Sequence, residues 1–273
     1  MNDLEFIEKE ITVKGLKKEY RIIHVTDWHI VLSDERDEGF LIKGGYWKGT
    51  PLTEYTALRY KRFTFDGIST AERFSRLCAA LRENPNIADA VVFTGDITDC
   101  YTPAAFEFMR DNIKGLKTPW MFVIGNHDMI FSNMTEDETR NVYKELTGEN
   151  TFVQEMTLGE LSLVGVYNGP YYYPEKSLCG LEKALDGKEN VILFQHVPLP
   201  EEDYKGFVSE GEMASINETY ATVFEWITKE NSPIKAVIAG DNHVESHYMI
   251  GNIPQHVSPL ASEFAPVLFK IHS

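Results

Sequence analysis

Cysteine is scarce in this 273-residue chain: Cys78, Cys100 and Cys179 are the only three, and no C-x-x-C spacing joins them. An odd, scattered set excludes a disulfide framework and a thiolate zinc knuckle. The thiols read instead as small buried hydrophobes or idle thiols, and the expected compartment is the cytosol. No apolar run approaches the roughly 18 residues that a membrane span requires. The N-terminal MNDLEFIEKE is acidic and has no apolar h-region, so no secretory signal is expected. Basic residues are outnumbered, 26 Lys plus Arg against 42 Asp plus Glu, for a net charge of −16. Such a surface repels polyanions, which argues against general nucleic-acid binding and against docking on anionic membranes. Internal repeats, low-complexity tracts and Gly/Ser-rich linkers are also missing.

What remains is an ordinary globular composition, 43% hydrophobic and 25% charged, with 16 Phe, 13 Tyr and 4 Trp. That is enough apolar mass for a sizeable core, and it excludes a disordered chain. Short β-branched or aromatic runs at Tyr20–Val25, Ala90–Thr94, Trp120–Ile124, Val191–Gln195 and Ala236–Ala239 read as strands buried on both faces. Helices are expected between them: from Ser69 with Glu72, from Thr102-Pro103 to Gly115, from Thr135 with Glu138 to Gly148, and from Ser215 with Glu218. The last carries Ile216, Tyr220, Val223, Phe224 and Ile227 on one stripe. Two more strands are expected near Gln255–Val257 and Val267–Ile271, with no later helix. The alternation predicts an α/β layered fold, read as a single domain over 1–273.

Each of the five runs is followed by a polar loop. These are Thr26-Asp27-Trp28-His29, Gly95-Asp96-Ile97-Thr98-Asp99, Gly125-Asn126-His127-Asp128, Gln195-His196 and Gly240-Asp241-Asn242-His243. In extended backbone residues i and i+2 point the same way, so Asp27 and His29 are expected to share a target, with Trp28 opposite. Parallel strands deliver their C-terminal loops to one edge, where α/β proteins place their sites. Imidazole, carboxylate and amide oxygen together suit hard or borderline divalent metals such as Mn, Fe or Zn. The donors are too many for one ion and about right for two sharing a bridging carboxylate.

The ordered series D-x-H, G-D-x-x-D, G-N-H-D, H and G-x-x-H, over residues 27 to 243, resembles the calcineurin-like metallophosphoesterase superfamily. In form it is most similar to the bacterial cyclic-nucleotide phosphodiesterase-like branch. The resemblance implies a two-sheet α/β sandwich with helices on the outer faces and a dinuclear centre. It implies hydrolysis of a phosphodiester or phosphomonoester, with a nucleotide among the candidate substrates, by in-line attack of a metal-bridging hydroxide. By position, Asp27, His29, Asp96 and His243 would hold the first metal. Asp96 would bridge to the second, shared by Asn126 and His196. His127 would serve the leaving group, Asp128 would hydrogen-bond it and fix its tautomer, and Asp99 would stand behind the ligands.

One position departs from the family: Asp241 occupies the place of a histidine ligand. A carboxylate there leaves the centre near a net charge of about +1, against about +2 with imidazole, and favours Mn²⁺ or iron over Zn²⁺. If Asp241 stayed behind the ligands, the second metal would bind weakly, and a metal-poor binding or scaffold protein is the alternative. A nuclease acting on short oligonucleotides is the other. The arginines that mark serine/threonine protein phosphatases are replaced by Cys100-Tyr101 and Met129-Ile130-Phe131, and Asp99 stands near where purple acid phosphatases carry a tyrosine ligand. The stretch 31–68 reads as a lid or insertion. Its Arg59, Lys61 and Arg62 are expected at the surface, as is the acidic run Asp34–Glu38. Tyr171-Tyr172-Tyr173 are expected to pack or to lie in an exposed loop; of the histidines that match no motif (His24, His247, His256 and His272), His24 and His256 are expected to be structural. The expected partner is a small phosphoester; oligomeric state stays open.

Overall fold

Apolar runs buried along their whole length build the centres of two sheets. A computed structural model describes residues 5–200 and 210–273, with the side chains of the last long helix described from residue 218 on. In chain order the elements are β1 (Ile7–Thr12), β2 (Tyr20–Val25), α1 (Leu52–Arg62), β3 (Thr64–Phe65), β4 (Ile68–Ser69), α2 (Thr70–Glu83), β5 (Ala90–Thr94) and α3 (Pro103–Lys114). There follow β6 (Trp120–Val123), α4 (His127–Ile130), α5 (Glu136–Thr147), β7 (Val153–Leu158), β8 (Leu161–Val166), α6 (Glu175–Leu185), β9 (Val191–Gln195) and α7 (Glu210–Thr228). The chain closes with β10 (Ile234–Ala239), β11 (Ser246–Ile250), β12 (Ile253–Val257) and β13 (Val267–His272).

One sheet has the order β1-β13-β2-β5-β6 and the other β11-β12-β10-β9-β8-β7. In the first, β2, β5 and β6 run parallel; in the second, β8, β9, β10 and β12 do. The sheets pack face to face through Ile22, Val92, Met121, Leu163, Phe194, Ile238 and Phe269. The outer face of the first sheet is covered by α2, α3 and α5, through Phe74, Leu81, Phe106, Met109 and Tyr143. The outer face of the second is covered by α6 and α7, through Leu181, Leu185, Val223 and Ile227. These five helices each hide an apolar stripe against a sheet and the central strands are buried on both faces, which gives four layers, helix–sheet–sheet–helix.

Local chemistry sets the boundaries. Ser69, Thr102 and Thr135 accept from the backbone of Glu72, Ala105 and Glu138, capping α2, α3 and α5. Gly115 and Gly148 end the last two of these helices. The fourth expected helix begins earlier than its Ser215–Glu218 pattern suggests: α7 already runs from Glu210, so the pattern lies inside it. Tyr220, Val223 and Ile227 of its stripe are buried, and the Ile216 side chain lies outside the described residues.

The 31–68 segment is structured. It contains a 3-10 turn at Glu35–Asp37, the 11-residue α1 and the β3–β4 hairpin. Ile42, Leu52 and Tyr55 pack there with Cys100 and Phe131. Within the acidic run, Asp37 is buried rather than solvated, because its carboxylate accepts from the Asp34 backbone N–H. Among the described residues no helix is long and apolar enough to cross a membrane.

Candidate metal centre

Strands β2, β5, β6, β9 and β10 end at one edge of the two sheets, and the five polar loops converge there. The backbone pays for the convergence. φ is positive at Asp27 (52°), His29 (53°), Asp96 (51°), Asp241 (66°) and His243 (59°). A left-handed conformation costs a residue with a Cβ of order 1–2 kcal/mol, so packing must overdetermine each one. The Asp27–His29 segment is therefore not extended. Its alternation survives for another reason: two left-handed residues flank Trp28, whose ring is buried against Phe74 at 5.4 Å while Nε1 donates to the Thr70 carbonyl at 2.8 Å. Two glycines make room. A Cβ on Gly125 would overlap Asp96, and one on Gly240 would overlap Thr26 and Asp27.

The donors fall into two groups. In the first, His29 Nε2 and His243 Nε2 lie 3.0 Å apart, and Asp27 Oδ1 is 3.4 Å from His243 Nε2. Asp27 Oδ2 accepts from Thr26 Oγ1 and the Asp241 N–H, leaving its buried Oδ1 without a hydrogen-bond donor. In the second, His196 Nε2 faces Asn126 Oδ1 at 2.8 Å, Asp96 Oδ1 at 3.2 Å and Asp241 Oδ1 at 3.5 Å. Asp96 divides its oxygens between the groups, Oδ1 toward His196 and Oδ2 toward His29 at 3.9 Å.

These donors fit cations. Nδ1 of His196 bonds the Thr94 carbonyl, and Nδ1 of His29 bonds Asp99, so each ring presents Nε2 to the centre. Turning the Asn126 amide would let its nitrogen donate to His196 and to both Asp96 oxygens. With Oδ1 toward the centre the amide offers an oxygen ligand instead. The pKa directions agree. Burial alone would raise Asp96, yet the surrounding imidazoles, His196 first, hold it far below the usual carboxylate range. Burial would lower His196, yet Asp96, Asp241 and Asp27 hold it well above an ordinary histidine. The carboxylates thus draw positive charge to the place where a second ion would sit.

His127 is mostly buried. Its backbone N–H donates to Asp96 Oδ1 at 2.8 Å, and its Nδ1 donates to the Asp99 carbonyl at 2.8 Å. Asp128 does not orient it, contrary to the sequence expectation. The Asp128 carboxylate turns inward and accepts from the N–H groups of Asp96, Thr98 and Gly125 and from the hydroxyls of Thr98 and Tyr143. Being next to His127 in sequence is not being next to it in space, because α4 begins at His127 and points the two side chains apart. Asp128 ties loop two to loop three, and burial together with the Asp96 charge pushes its pKa up to about 6.

Asp99 lies behind His29, with Oδ1 accepting from its Nδ1 at 2.8 Å. Its other partner is Arg59, which forks onto the carboxylate through Nε (2.9 Å to Oδ2) and Nη2 (2.7 Å to Oδ1). The surface position expected for Arg59 is thus overturned; nothing in the sequence separates it from Lys61 and Arg62, which are exposed. Tyr171 is a second surprise, its hydroxyl donating to Asp241 Oδ1 at 3.1 Å from a backbone φ of 63°. Tyr173 is structural, buried and bonded to Gln195 at 2.6 Å. His24 is structural too, buried between Ser258 (2.7 Å) and Thr94 (2.6 Å). His247 and His256 line a separate cavity of about 290 Å³ with Lys9 and Glu245.

A two-sheet sandwich whose strand ends gather His and Asp side chains into two adjoining groups is the architecture of the metallophosphoesterase fold. The chain belongs to the calcineurin-like phosphoesterases, whose family model matches residues 20–245. It is 30% identical over 114 residues to a protein of Arcobacter nitrofigilis named "Probable glycerophosphodiester phosphodiesterase GpdQ", covering 40% of this chain and 42% of that one. It is 26% identical over 155 residues to the 3',5'-cyclic adenosine monophosphate phosphodiesterase CpdA of Escherichia coli K12, covering 55% and 54%. The chain thus matches about half the length of these curated relatives. Purple acid phosphatase PPD1 of yellow lupin (Lupinus luteus) superposes with a TM-score of 0.58 at 11% identity, over 92% of this chain and 46% of that one, a likeness of fold.

Proposed function

We propose that the protein hydrolyses a small phosphoester with two divalent metal ions, a phosphodiester before a phosphomonoester. The observation that carries this is Asp96, whose two oxygens serve two separate sets of imidazole and carboxylate donors. Asp27, His29 and His243 would complete the first set, and Asn126, His196 and Asp241 the second. Bound there, two divalent ions supply charge that polarises the ester and makes water acidic at neutral pH. The absence of thiolate and the presence of three carboxylates favour Mn²⁺ or iron, with Zn²⁺ next. The preference for a diester rests on the two curated relatives, both named as diesterases. The net charge of −16 supports a small substrate over a polynucleotide.

The chain's own contribution to the chemistry is proton placement. His127 Nδ1 must carry its proton, because the Asp99 carbonyl it meets can only accept. Nε2 is then the nitrogen left to face the cleft, and as imidazolium His127 donates from it to the departing ester oxygen. The fixed Nδ1–H bond sets the ring before substrate arrives, so no reorientation is needed at the moment of transfer.

The test is elemental analysis of protein purified without chelator, paired with Mn²⁺-dependent hydrolysis of an aryl phosphodiester and an aryl phosphomonoester. About two metals per chain with faster diester turnover is the expected result. One metal or none, with no turnover after Mn²⁺ or Fe²⁺ loading, would overturn the reading and favour a binding protein on the same fold.

A further inference from the structure

Helix α1 is the one element of the 31–68 segment that reaches the centre, and it does so through a layered stack. The His29 ring lies parallel to Phe63, 4.4 Å away with 6° between planes. The Arg59 guanidinium lies on Phe63 at 4.7 Å and within 5.6 Å of Tyr55. From that sandwich Arg59 forks onto Asp99, whose side chain is wholly buried. Arg59 is the donor to Asp99 Oδ2; Oδ1 is shared between Arg59 and His29. Asp99 also accepts His127 Nδ1 on its backbone carbonyl at 2.8 Å, with the carboxylate 3.5 Å from the same nitrogen. The hydroxyl of Tyr55, also on α1, reaches that carbonyl at 3.4 Å.

A single residue, Asp99, therefore orients two imidazoles with different tasks. A carboxylate has free rotation about its last bond, and one donor does not fix it. The planar guanidinium does, because two N–H groups in a rigid fork set both oxygens in one plane. We propose that Arg59 is a positioning residue which, by locking the Asp99 carboxylate, aims His29 Nε2 at the metal. The 31–68 segment is then part of the working centre and not a cover over it. Lysine cannot replace this function, since a point charge neutralises the carboxylate without fixing its plane. The inference rests on the phosphoesterase reading, but its decisive readout does not.

The experiment compares Arg59→Lys, Arg59→Gln and, as a control, Lys61→Ala on the exposed side of the same helix. The decisive measurement is the side-chain N–H NMR signal of His29, recorded with and without Mn-replacing Zn²⁺. Both Arg59 variants should lose or broaden the Nδ1–H signal of His29 while the melting curve of Arg59→Lys stays cooperative. Metal affinity and kcat should each fall by about 10- to 100-fold, the usual cost of removing a group that orients a ligand, with KM within about twofold. Lys61→Ala should match the parent throughout. An unchanged His29 signal and unchanged metal affinity in Arg59→Lys would overturn the proposal, whatever happens to turnover. If the parent itself turns over no ester, the phosphoesterase reading fails, while loss of the His29 signal would still establish the positioning role.

Discussion

Replacing Asp128 with alanine separates two roles that its neighbour His127 would otherwise confuse. The substitution removes the acceptor for three backbone N–H groups, those of Asp96, Thr98 and Gly125, all in buried loops. The hydroxyls of Thr98 and Tyr143 can rotate to each other, being 2.8 Å apart, so they lose little. An orphaned buried donor costs about 1–3 kcal/mol, and three of them give about 3–6 kcal/mol once some water enters the vacated space. For a domain of this size each kcal/mol moves Tm by about 2–3 °C, so a fall of roughly 10 °C is expected. Loops two and three carry Asp96 and Asn126, so metal content should fall with stability. His127→Ala, by contrast, removes no acceptor that holds the loops together and should melt within about 2–3 °C of the parent. The assay is thermal melting beside metal content for both variants, with Asp128→Asn added in case the alanine form does not fold. An Asp128→Ala protein that melts like the parent, binds two metals and loses turnover as His127→Ala does would refute this reasoning and restore the orienting role.

His127→Ala should lower kcat by about 10²- to 10⁴-fold with metal content unchanged, as loss of a general acid does, and intact turnover would remove the assigned role. The defect should shrink for an ester whose leaving group needs no proton, such as a nitrophenolate. Asp241→His should retain two metals and shift preference from Mn²⁺ toward Zn²⁺; an unchanged preference, measured by competitive loading, would show that Asp241 is not a ligand. Acid should destabilise the fold through His24, whose pKa burial pushes down to about 3 from 6.5. The unfolded chain takes up a proton as pH falls below 6.5 and the native state does not. His24-linked stability is therefore full above that value and is lost toward pH 3, at about 1.4 kcal/mol per unit. His24→Gln should flatten that slope in denaturant titrations between pH 4 and 7.

The strands that carry the chemistry were legible because they are buried on both faces, and continuous apolar runs such as Ala90–Thr94 and Val191–Gln195 admit few other readings. The edge strands were not. β1 reads IEKEIT, alternating and charged, which without its partner β13 looks like a polar tail. The β7–β8 hairpin carried a weak signal, the two-residue Gly159-Glu160 loop with φ of 59° at the glycine. Helix α1 offers less still: its N-cap is Pro51, with no side-chain cap bond, so no start signal precedes it.

At the centre, the residue types were legible and their mutual orientation was not, for a physical reason. Side chains able to hold a divalent metal come from few residue types, and few other arrangements place so many of them at neighbouring strand ends, so the loops announce themselves. An orienting contact has no such restriction. His127 could take its Nδ1 bond from any acceptor within 3 Å, and sequence adjacency made Asp128 look like the partner although helix geometry sends it away. The acceptor chosen is the backbone carbonyl of Asp99, which has no sequence signature at all. Arg59 is hidden in the same way, since its fork on Asp99 depends on where α1 lies and not on which residues flank it. The left-handed backbone at Asp27, His29, Asp96, Asp241 and His243 adds to this. Local preference there runs against the observed conformation, so only the surrounding packing selects it, and that packing is what the sequence of a single loop does not contain. Reading such a site from sequence therefore yields its chemistry first and its geometry last, and the residues that set the geometry are the ones that variants must find.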